Sequence, residues 1–365
     1  MTSRKNEAKW IENRSRWQIN VQKDGERKTF SSPIEGTKGK IQAEKKADEW
    51  LASKYNASNI RLASLWADFL ADLKLNCGGA HYKKTEQLGR LYILPELQHK
   101  KVSAITVQDW QNCINKAYKK GLSKKTCENI RGAVTAFYRY AKKGRLKMEK
   151  PEDLTIPKDA PVGERHILQP EDIKTLFSVD YISKYNKQIP CHYIHAWRFI
   201  VATGLRRGEL CGLRKEDIQG NAVKVCRSVN SLGEITKGKN DNANRWFMLC
   251  QLSQKILQEQ QAMLKAKGIV SPWVFPDEQG ELTDPNHLYK TWHTYRKQHG
   301  LKSSLHEIRH THISVAKADV PAPLLKQAVG HSSKMDTFGI YGHEVEGELQ
   351  RVADIMDHVF SRILE

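Results

Sequence analysis

Several side chains in the C-terminal half of the sequence have the chemistry to hold a phosphate group. His306 and Arg309 lie three residues apart on a predicted helix and share one face, where they present a ring N–H and a guanidinium fork to one oxyanion. Arg206 follows a predicted apolar helix, and His331 and Tyr341 add a second imidazole and a phenol. Such groups suit a reaction whose transition state carries negative charge.

A glycine-rich string resembles a nucleotide-binding loop without the required context. Residues 233–240, GEITKGKN, are one residue short of a Walker A loop, and Asn240 stands where Ser or Thr would hold magnesium. A phosphate-binding loop must open a helix, whereas the residues that follow have the pattern of a turn and a strand. The sequence therefore predicts a β-hairpin here.

The string HEIRH at 306–310 is a complete H-E-x-x-H motif. On a helix it would place two imidazoles on one face beside a glutamate base, as in zinc hydrolases. Arg309 shares roughly that face, and its fixed charge would oppose a bound zinc ion. No third ligand follows at metzincin spacing, but a zinc hydrolase stays an alternative to phosphate chemistry.

The chain is strongly basic, and its charge is concentrated in the middle third. The 60 Lys and Arg residues against 41 Asp and Glu residues give a net charge of +19. Residues 60–150 hold 19 basic and 7 acidic residues, a net +12, whereas residues 151–365 contribute only +2. A basic surface kept only for solubility would spread this charge evenly. The concentration favours a polyanionic partner, DNA or RNA.

Length and composition exclude other classes. The 365 residues suffice for two or three domains, and 39% apolar with 28% charged residues indicate a globular protein. The sequence has no run of about 18 apolar residues and no signal stretch, so we expect no membrane partner. The seven cysteines are scattered without a C-x-x-C pair, which predicts a reducing cytoplasm and no cysteine-based zinc site.

Periodicity predicts a mainly α protein with small β-sheets, an α+β fold. Residues 16–30 alternate as two extended segments around a turn, and a helix over 41–54 backs them. From 62 to 147 the apolar spacing is helical throughout, with Ser123 as a helix N-cap. The three prolines of 151–162 and their lack of periodicity are typical of an interdomain linker.

The rest of the chain alternates helices with one β-like section over 222–249. The helices are predicted at 171–178, 192–203, 253–267, 286–299, 306–318, 322–329 and 345–363. Apolar residues form a stripe along the last of these predicted helices.

Four strings in order resemble the motifs of the tyrosine recombinase (phage integrase) family: TGLRRGEL at 203–210, HEIRHTH at 306–312, GHSS at 330–333 and IYGH at 340–343. The resemblance implies that residues 163–365 form a mixed α/β catalytic domain. Residues 60–150 are similar to the family's helical, SAM-like core-binding domain. Residues 1–59 are similar to the small sheet domain by which many integrases grip arm-type DNA sites.

The same resemblance implies a role for each motif residue. Arg206 and Arg309 match the arginine pair that clamps the scissile phosphate, and His306 and His331 match the histidines that complete the pocket. Tyr341 matches the nucleophile.

Further residues are implied as supporting groups. Glu209 matches the acidic residue that supports the first arginine. The family carries a lysine on a β-hairpin, for which TKGKN offers Lys237 and Lys239, and Lys239 is favoured because it lies directly before the apparent turn. Among the lysines of the middle domain, the following are expected to contact DNA: Lys83, Lys84, Lys124 and Lys125.

The function implied is that of a site-specific DNA recombinase which integrates and excises a mobile element or prophage through a 3′-phosphotyrosine intermediate, with no metal, ATP or other cofactor. The implied partner is double-stranded attachment-site DNA at the nucleoid, bound by a homotetramer. Whether an excision factor or a host DNA-bending factor takes part stays open. An inactive DNA-binding protein of the same fold stays an alternative. Whether the last helix docks on its own domain or on a neighbouring subunit is also open.

Overall fold

The computed structural model describes residues 6–23, 26–52, 60–144, 146–237, 244–330 and 347–365. The chain divides into two compact units between Gly163 and Glu164. The predicted α+β class is confirmed, since helices dominate and the sheets have only two or three strands among these residues. No helix in the described ranges is long and apolar enough to cross a membrane.

The first unit begins with a three-stranded antiparallel sheet packed on one helix. Ile19 and Val21 face the helix because strand side chains alternate, and they pack against Ala43, Ala47 and Leu51. The predicted hairpin and helix are confirmed, although the helix begins five residues earlier than the sequence indicated. The elements are β1 (Lys9–Ile11), β2 (Arg16–Lys23), β3 (Glu26–Ser32) and α1 (Gly36–Ala52).

A helical bundle forms the rest of this unit. Its core is aromatic: the ring centroids of Trp66 and Phe137 lie 5.0 Å apart, and Phe69 and Trp110 pack beside them. Ser123 is confirmed as an N-cap, since its hydroxyl accepts from the Thr126 N–H at 3.3 Å. The elements are α2 (Leu62–Asn76), α3 (Gly79–Leu88), a π-helical turn (Gly89–Ile93), α4 (Leu94–Leu97), α5 (Val107–Lys119) and α6 (Lys124–Lys143).

The segment 151–162, predicted as a linker, has no helix or strand and lies against the bundle. Leu154 and Ala160 are buried, and the Thr155 N–H donates to the Gln111 side-chain oxygen at 2.9 Å. The segment therefore belongs to the first compact unit. The domain boundaries at 59 and 150 stay predictions.

The second unit is built around α8, whose residues are buried on almost every side. Trp197 of this helix packs on Trp292 and Tyr295. Each helix predicted beyond residue 163 is confirmed to within three residues at either end. The helices are α7 (Pro170–Ser178), α8 (Ile194–Thr203), α9 (Arg207–Cys211), α10 (Gln251–Ala266), α11 (Pro285–Gln298), α12 (Leu305–Ala316), α13 (Ala322–Val329) and α14 (Glu348–Leu364).

Short strands complete the second unit. A hairpin of β4 (Tyr181–Lys184) and β5 (Lys187–Pro190) was not predicted. A three-stranded sheet has the order β10-β7-β6, from β10 (Arg245–Met248), β7 (Ala222–Val225) and β6 (Ile218–Gln219).

The Walker-like string begins in a β-hairpin, but not the predicted one: the turn predicted at the end of the string lies outside the described residues, and the strand after it, β10, pairs with β7. β8 (Ser228–Val229) pairs with β9 (Ile235–Thr236) across a turn that contains Gly233. Residues 238–240 of the string lie outside the described residues.

The last helix packs on its own domain. Val352, Met356 and Phe360 of α14 are buried in the same core as α8, and the Gln251 N–H donates to the Asp357 carboxylate at 2.7 Å.

Two glycines of the bundle should respond in opposite ways to replacement by alanine. A Cβ at Gly89 would lie 2.3 Å from the Trp66 ring nitrogen, so Gly89→Ala should lower the free energy of unfolding by about 1 to 3 kcal/mol. A Cβ at Gly132, inside α6, would have no neighbour within 4 Å. Gly132→Ala should therefore raise the free energy by about 0.5 to 1 kcal/mol through helix propensity. Urea denaturation measures both, and equal effects of the two changes would contradict the packing described.

Candidate functional site

The glycine at the end of α8 determines where the backbone of Arg206 lies. Helix α8 ends at Gly204, which has a φ of +66°. A Cβ there would lie 2.6 Å from a ring carbon of His312, so both the left-handed backbone and the close approach require glycine. The chain turns sharply and presents Arg206 as the N-cap of α9.

Glu209 holds Arg206 in place. Arg206 donates from Nη1 to Glu209 Oε1 at 2.6 Å, and its backbone N–H donates to Oε2 at 3.0 Å. The Glu209 side chain is 3% exposed, whereas that of Arg206 is 37% exposed. The acidic residue predicted to support Arg206 therefore contacts it, and the arginine keeps a face toward solvent.

Arg309 reaches the same place from α12. It is 3% exposed, and it donates to the Gly204 carbonyl at 2.7 Å and to the Val329 carbonyl at 2.6 Å. These bonds join the ends of α8 and α13. The two arginines that the sequence grouped are thus anchored next to each other.

A third arginine, Arg245, belongs to this cluster and was missed from the sequence. It is buried at the start of β10 and donates to the two carboxylate oxygens of Glu209 at 3.3 and 3.0 Å. Its Nε donates to the Ala328 carbonyl at 2.9 Å. The alternation of strand side chains could have predicted its burial, since Arg245 lies two residues before the buried Phe247 and so on the same face of β10.

The three arginines together cap the C-terminal end of α13. The Gly330 N–H bonds the carbonyls of Lys326 and Gln327. The next three carbonyls each receive one guanidinium: Ala328 from Arg245, Val329 from Arg309, and Gly330 from Arg206 at 2.8 Å. Carbonyls at a helix end have no intrahelical donor and carry partial negative charge, so cations stabilise them.

The electrostatics of this cluster favour an anion. Burial alone would raise the pKa of Glu209, but hydrogen bonds and charge from Arg245 and Arg206 hold it below its ordinary value, so the carboxylate stays ionised. Burial, followed by repulsion from Arg206, lowers the pKa of Arg309 to about 10. One carboxylate does not balance three guanidinium groups, so a bound anion would relieve their repulsion.

His306 lies beside the arginines as a neutral imidazole. Partial burial, His310 and Arg309 lower its pKa, so the ring is uncharged at neutral pH. It is therefore able to accept a proton.

The alternative zinc site receives no support from the geometry. Glu307, the residue that would act as base, accepts from the backbone N–H groups of Ser304 at 2.5 Å and His166 at 3.2 Å. Its carboxylate completes the capping box of α12, in which Ser304 is the N-cap. Across the parts of the chain that the structure describes, no three His, Cys, Asp or Glu side chains group as a metal site.

Some of the other predicted site residues lie within the described ranges, and others do not. Lys237 is exposed directly after β9, whereas Lys239, His331 and Tyr341 lie outside the described residues. The four lysines expected to contact DNA are all exposed: Lys83 and Lys84 on α3, and Lys124 and Lys125 in the first turn of α6.

Comparison with known proteins identifies the family. The sequence profile of the phage integrase family matches residues 166–348. The chain belongs to the phage integrase family. It is a tyrosine-type site-specific recombinase, and the comparisons give no support to the inactive or zinc-dependent alternatives.

Curated relatives are tyrosine recombinases. The XerC-like tyrosine recombinase of Caldanaerobacter subterraneus subsp. tengcongensis is 26% identical, with 88% of this chain and 90% of the relative aligned. Tyrosine recombinase XerC of Bacillus pumilus is also 26% identical, over 68% of this chain and 79% of that protein.

Solved structures share the fold. The Tn1549 transposon integrase in complex with transposon right end DNA matches with a TM-score of 0.62 at 19% identity, over 81% of this chain and 99% of that one. A lambda integrase dimer bound to a COC′ core site matches with a TM-score of 0.60 at 14% identity, over 95% of this chain and 99% of that one.

The recombinase should lose stability in mild acid through His312. Burial lowers the pKa of this ring to about 4, below the ordinary 6.5, while its Nδ1–H donates to the Val201 carbonyl. The unfolded chain therefore takes up the proton first, and stability falls as pH drops from about 6.5 to about 4. His312→Asn keeps a donor but cannot titrate. Between pH 7 and pH 5 it should lose about 2 kcal/mol less than the wild type in urea titrations; equal losses would refute the assignment.

Proposed function

We propose that this recombinase cuts and rejoins double-stranded attachment-site DNA through a 3′-phosphotyrosine intermediate on Tyr341, and so integrates and excises a mobile element or prophage. The observation that carries the proposal is the anchoring of Arg206 and Arg309 on the carbonyls of Gly330 and Val329. These carbonyls directly precede the segment that contains His331 and Tyr341. The anion site and the nucleophile are therefore joined by a short length of chain.

Arg206 and Arg309 would bind the scissile phosphate. A guanidinium has five N–H donors, and the bonds to described residues use two from each side chain. The remaining donors, which bond no residue within the described ranges, would bond the non-bridging oxygens. Because charge develops on these oxygens in the transition state, each well-placed donor is worth roughly 3 to 4 kcal/mol.

The proposed step balances without a co-reactant. The phenol oxygen of Tyr341 bonds to phosphorus while the bond from phosphorus to the 5′ oxygen breaks, and the proton lost by the phenol is matched by one gained at the leaving oxygen. The phosphotyrosine ester keeps the bond energy, so a different 5′ hydroxyl can reverse the step without ATP.

Two proton-transfer roles are proposed for residues around the phosphate. A phenol of pKa about 10 is protonated at neutral pH and needs an acceptor. His306 and His331 are the candidates, and the lowered pKa of His306 keeps its ring neutral, with a nitrogen available to accept. Lys239, or Lys237 in its place, would protonate the leaving oxygen.

The assembly on DNA follows the structural relatives. A lambda integrase tetramer has been seen bound to a Holliday junction, and it matches this chain with a TM-score of 0.59 at 15% identity. We propose a homotetramer on attachment sites at the nucleoid, and participation of an excision factor or a host DNA-bending factor stays open. Residues 1–59 would grip arm-type sites.

A nicked suicide duplex tests the chemistry. The wild type should form a covalent protein–DNA complex that survives denaturation and is unaffected by EDTA, because the arginines supply the positive charge. Tyr341→Phe should form none, and Arg309→Ala should react about 100- to 1,000-fold more slowly. Covalent product from Tyr341→Phe, or a requirement for metal, would contradict the proposal.

The lysines in the first turn of α6 should contribute to DNA affinity through phosphate contacts. Cations there are disfavoured by the helix dipole, so helix stability does not account for Lys124, whereas Lys125 also forms an ion pair with Glu128 at 3.0 Å. In salt titrations of duplex binding, the variant with both replaced by Gln should show a slope smaller by about 1 to 2. The same changes at Lys255 and Lys265, exposed on α10, serve as the matched control and should leave the slope unchanged. Equal slopes in the two variants would remove these lysines from the interface.

A further inference from the structure

We infer that Arg245 is a positioning residue for strand cleavage, which it assists by neutralising Glu209 so that the positive charge of Arg206 remains available to the phosphate. The inference rests on the proposed function and names a residue for which the family motifs gave no role. In this cluster two arginines, Arg245 and Arg206, share one carboxylate.

The two arginines contact Glu209 to different extents, and the difference indicates which of them is available to bind an anion. Arg245 is 7% exposed and meets both oxygens of Glu209, while Arg206 is 37% exposed and meets one oxygen through its side chain. Arg245 also donates from Nε to the Ala328 carbonyl, so all three of its nitrogens bond acceptors of the protein. The exposed arginine retains donors and a solvent-facing edge for an anion.

Formal charge gives the consequence of this arrangement. Arg206, Arg309 and Arg245 against Glu209 leave a net charge of +2 in the cluster. A phenolate that adds to a phosphodiester gives a phosphorane with two negative charges, which this cluster matches. Without Arg245 the net charge would be +1, and Arg206 would be paired one to one with Glu209.

Arg245 also fixes the helix end on which the other two arginines rest. Its Nε bond to the Ala328 carbonyl stands one residue before the Val329 carbonyl bound by Arg309 and two before the Gly330 carbonyl bound by Arg206. A purely structural role would stop at this contact. A charge-balancing role predicts in addition that the effect of losing Arg245 depends on the charge at residue 209.

Single variants give the first measurement. In single-turnover cleavage of the nicked suicide duplex, Arg245→Gln should react about 10- to 100-fold more slowly than the wild type, the loss typical of a residue that orients a directly acting group. Arg245→Lys keeps the charge and should recover most of the rate. Duplex affinity should change less than threefold, because it depends on the many other phosphate contacts. Urea titrations on each variant set conditions in which all are folded.

The decisive variant combines Arg245→Gln with Glu209→Gln, which restores the net charge to +2. It should react at least fivefold faster than Arg245→Gln alone. A double variant as slow as the single one, or slower, would overturn the inference in favour of a structural role. Should Arg245→Gln not fold, the double variant still decides, because it buries no carboxylate that has lost one of its partners. A folded double variant more than 100-fold slower than the wild type would then overturn the inference.

The wild-type reaction separates this inference from the proposed function. A wild type that forms no covalent complex would refute the proposed function and the inference with it. A reactive wild type matched in rate by Arg245→Gln would overturn the inference alone.

Discussion

Three guanidinium groups bind the carbonyl end of one eight-residue helix, and the catalytic unit is organised around that contact. The carbonyls of Ala328, Val329 and Gly330 have no donor within α13, and Arg245, Arg309 and Arg206 supply one each. Like charges held this close repel, so the cluster stands only because the helix dipole and Glu209 offset part of the repulsion. The part left unbalanced is what attracts a phosphate.

This arrangement gives the site its precision at a cost in stability. Desolvating charged groups opposes folding, whereas removing one member of a buried pair costs about 3 to 5 kcal/mol, because the partner is left uncompensated. The surrounding core of α8, which includes Trp197, Phe199 and Ile200, supplies apolar burial that offsets this cost. Arg309 joins the ends of α8 and α13 beside the anion site.

Much of this could be predicted from the sequence, for identifiable reasons. Periodic apolar residues placed the helices closely, and the motif strings led to Arg206, Glu209 and Arg309. The hairpin 181–190 was not predicted because its turn has Tyr185 and Asn186 at positive φ, without the glycine that usually indicates such a turn. The role of Arg245 was not predicted because its partners lie 36 and 83 residues away along the sequence, and local spacing carries no information on such contacts.

The central claim is that Arg206 and Arg309 serve one phosphate while the end of α13 holds them. A cryo-EM or crystal structure of the recombinase on a duplex with an intact scissile phosphate tests it most directly. The account predicts that both guanidinium groups donate to oxygens of the same phosphorus, with the bonds to the Val329 and Gly330 carbonyls retained. Guanidinium groups that contact different phosphates, or that leave these carbonyls on binding, would contradict it.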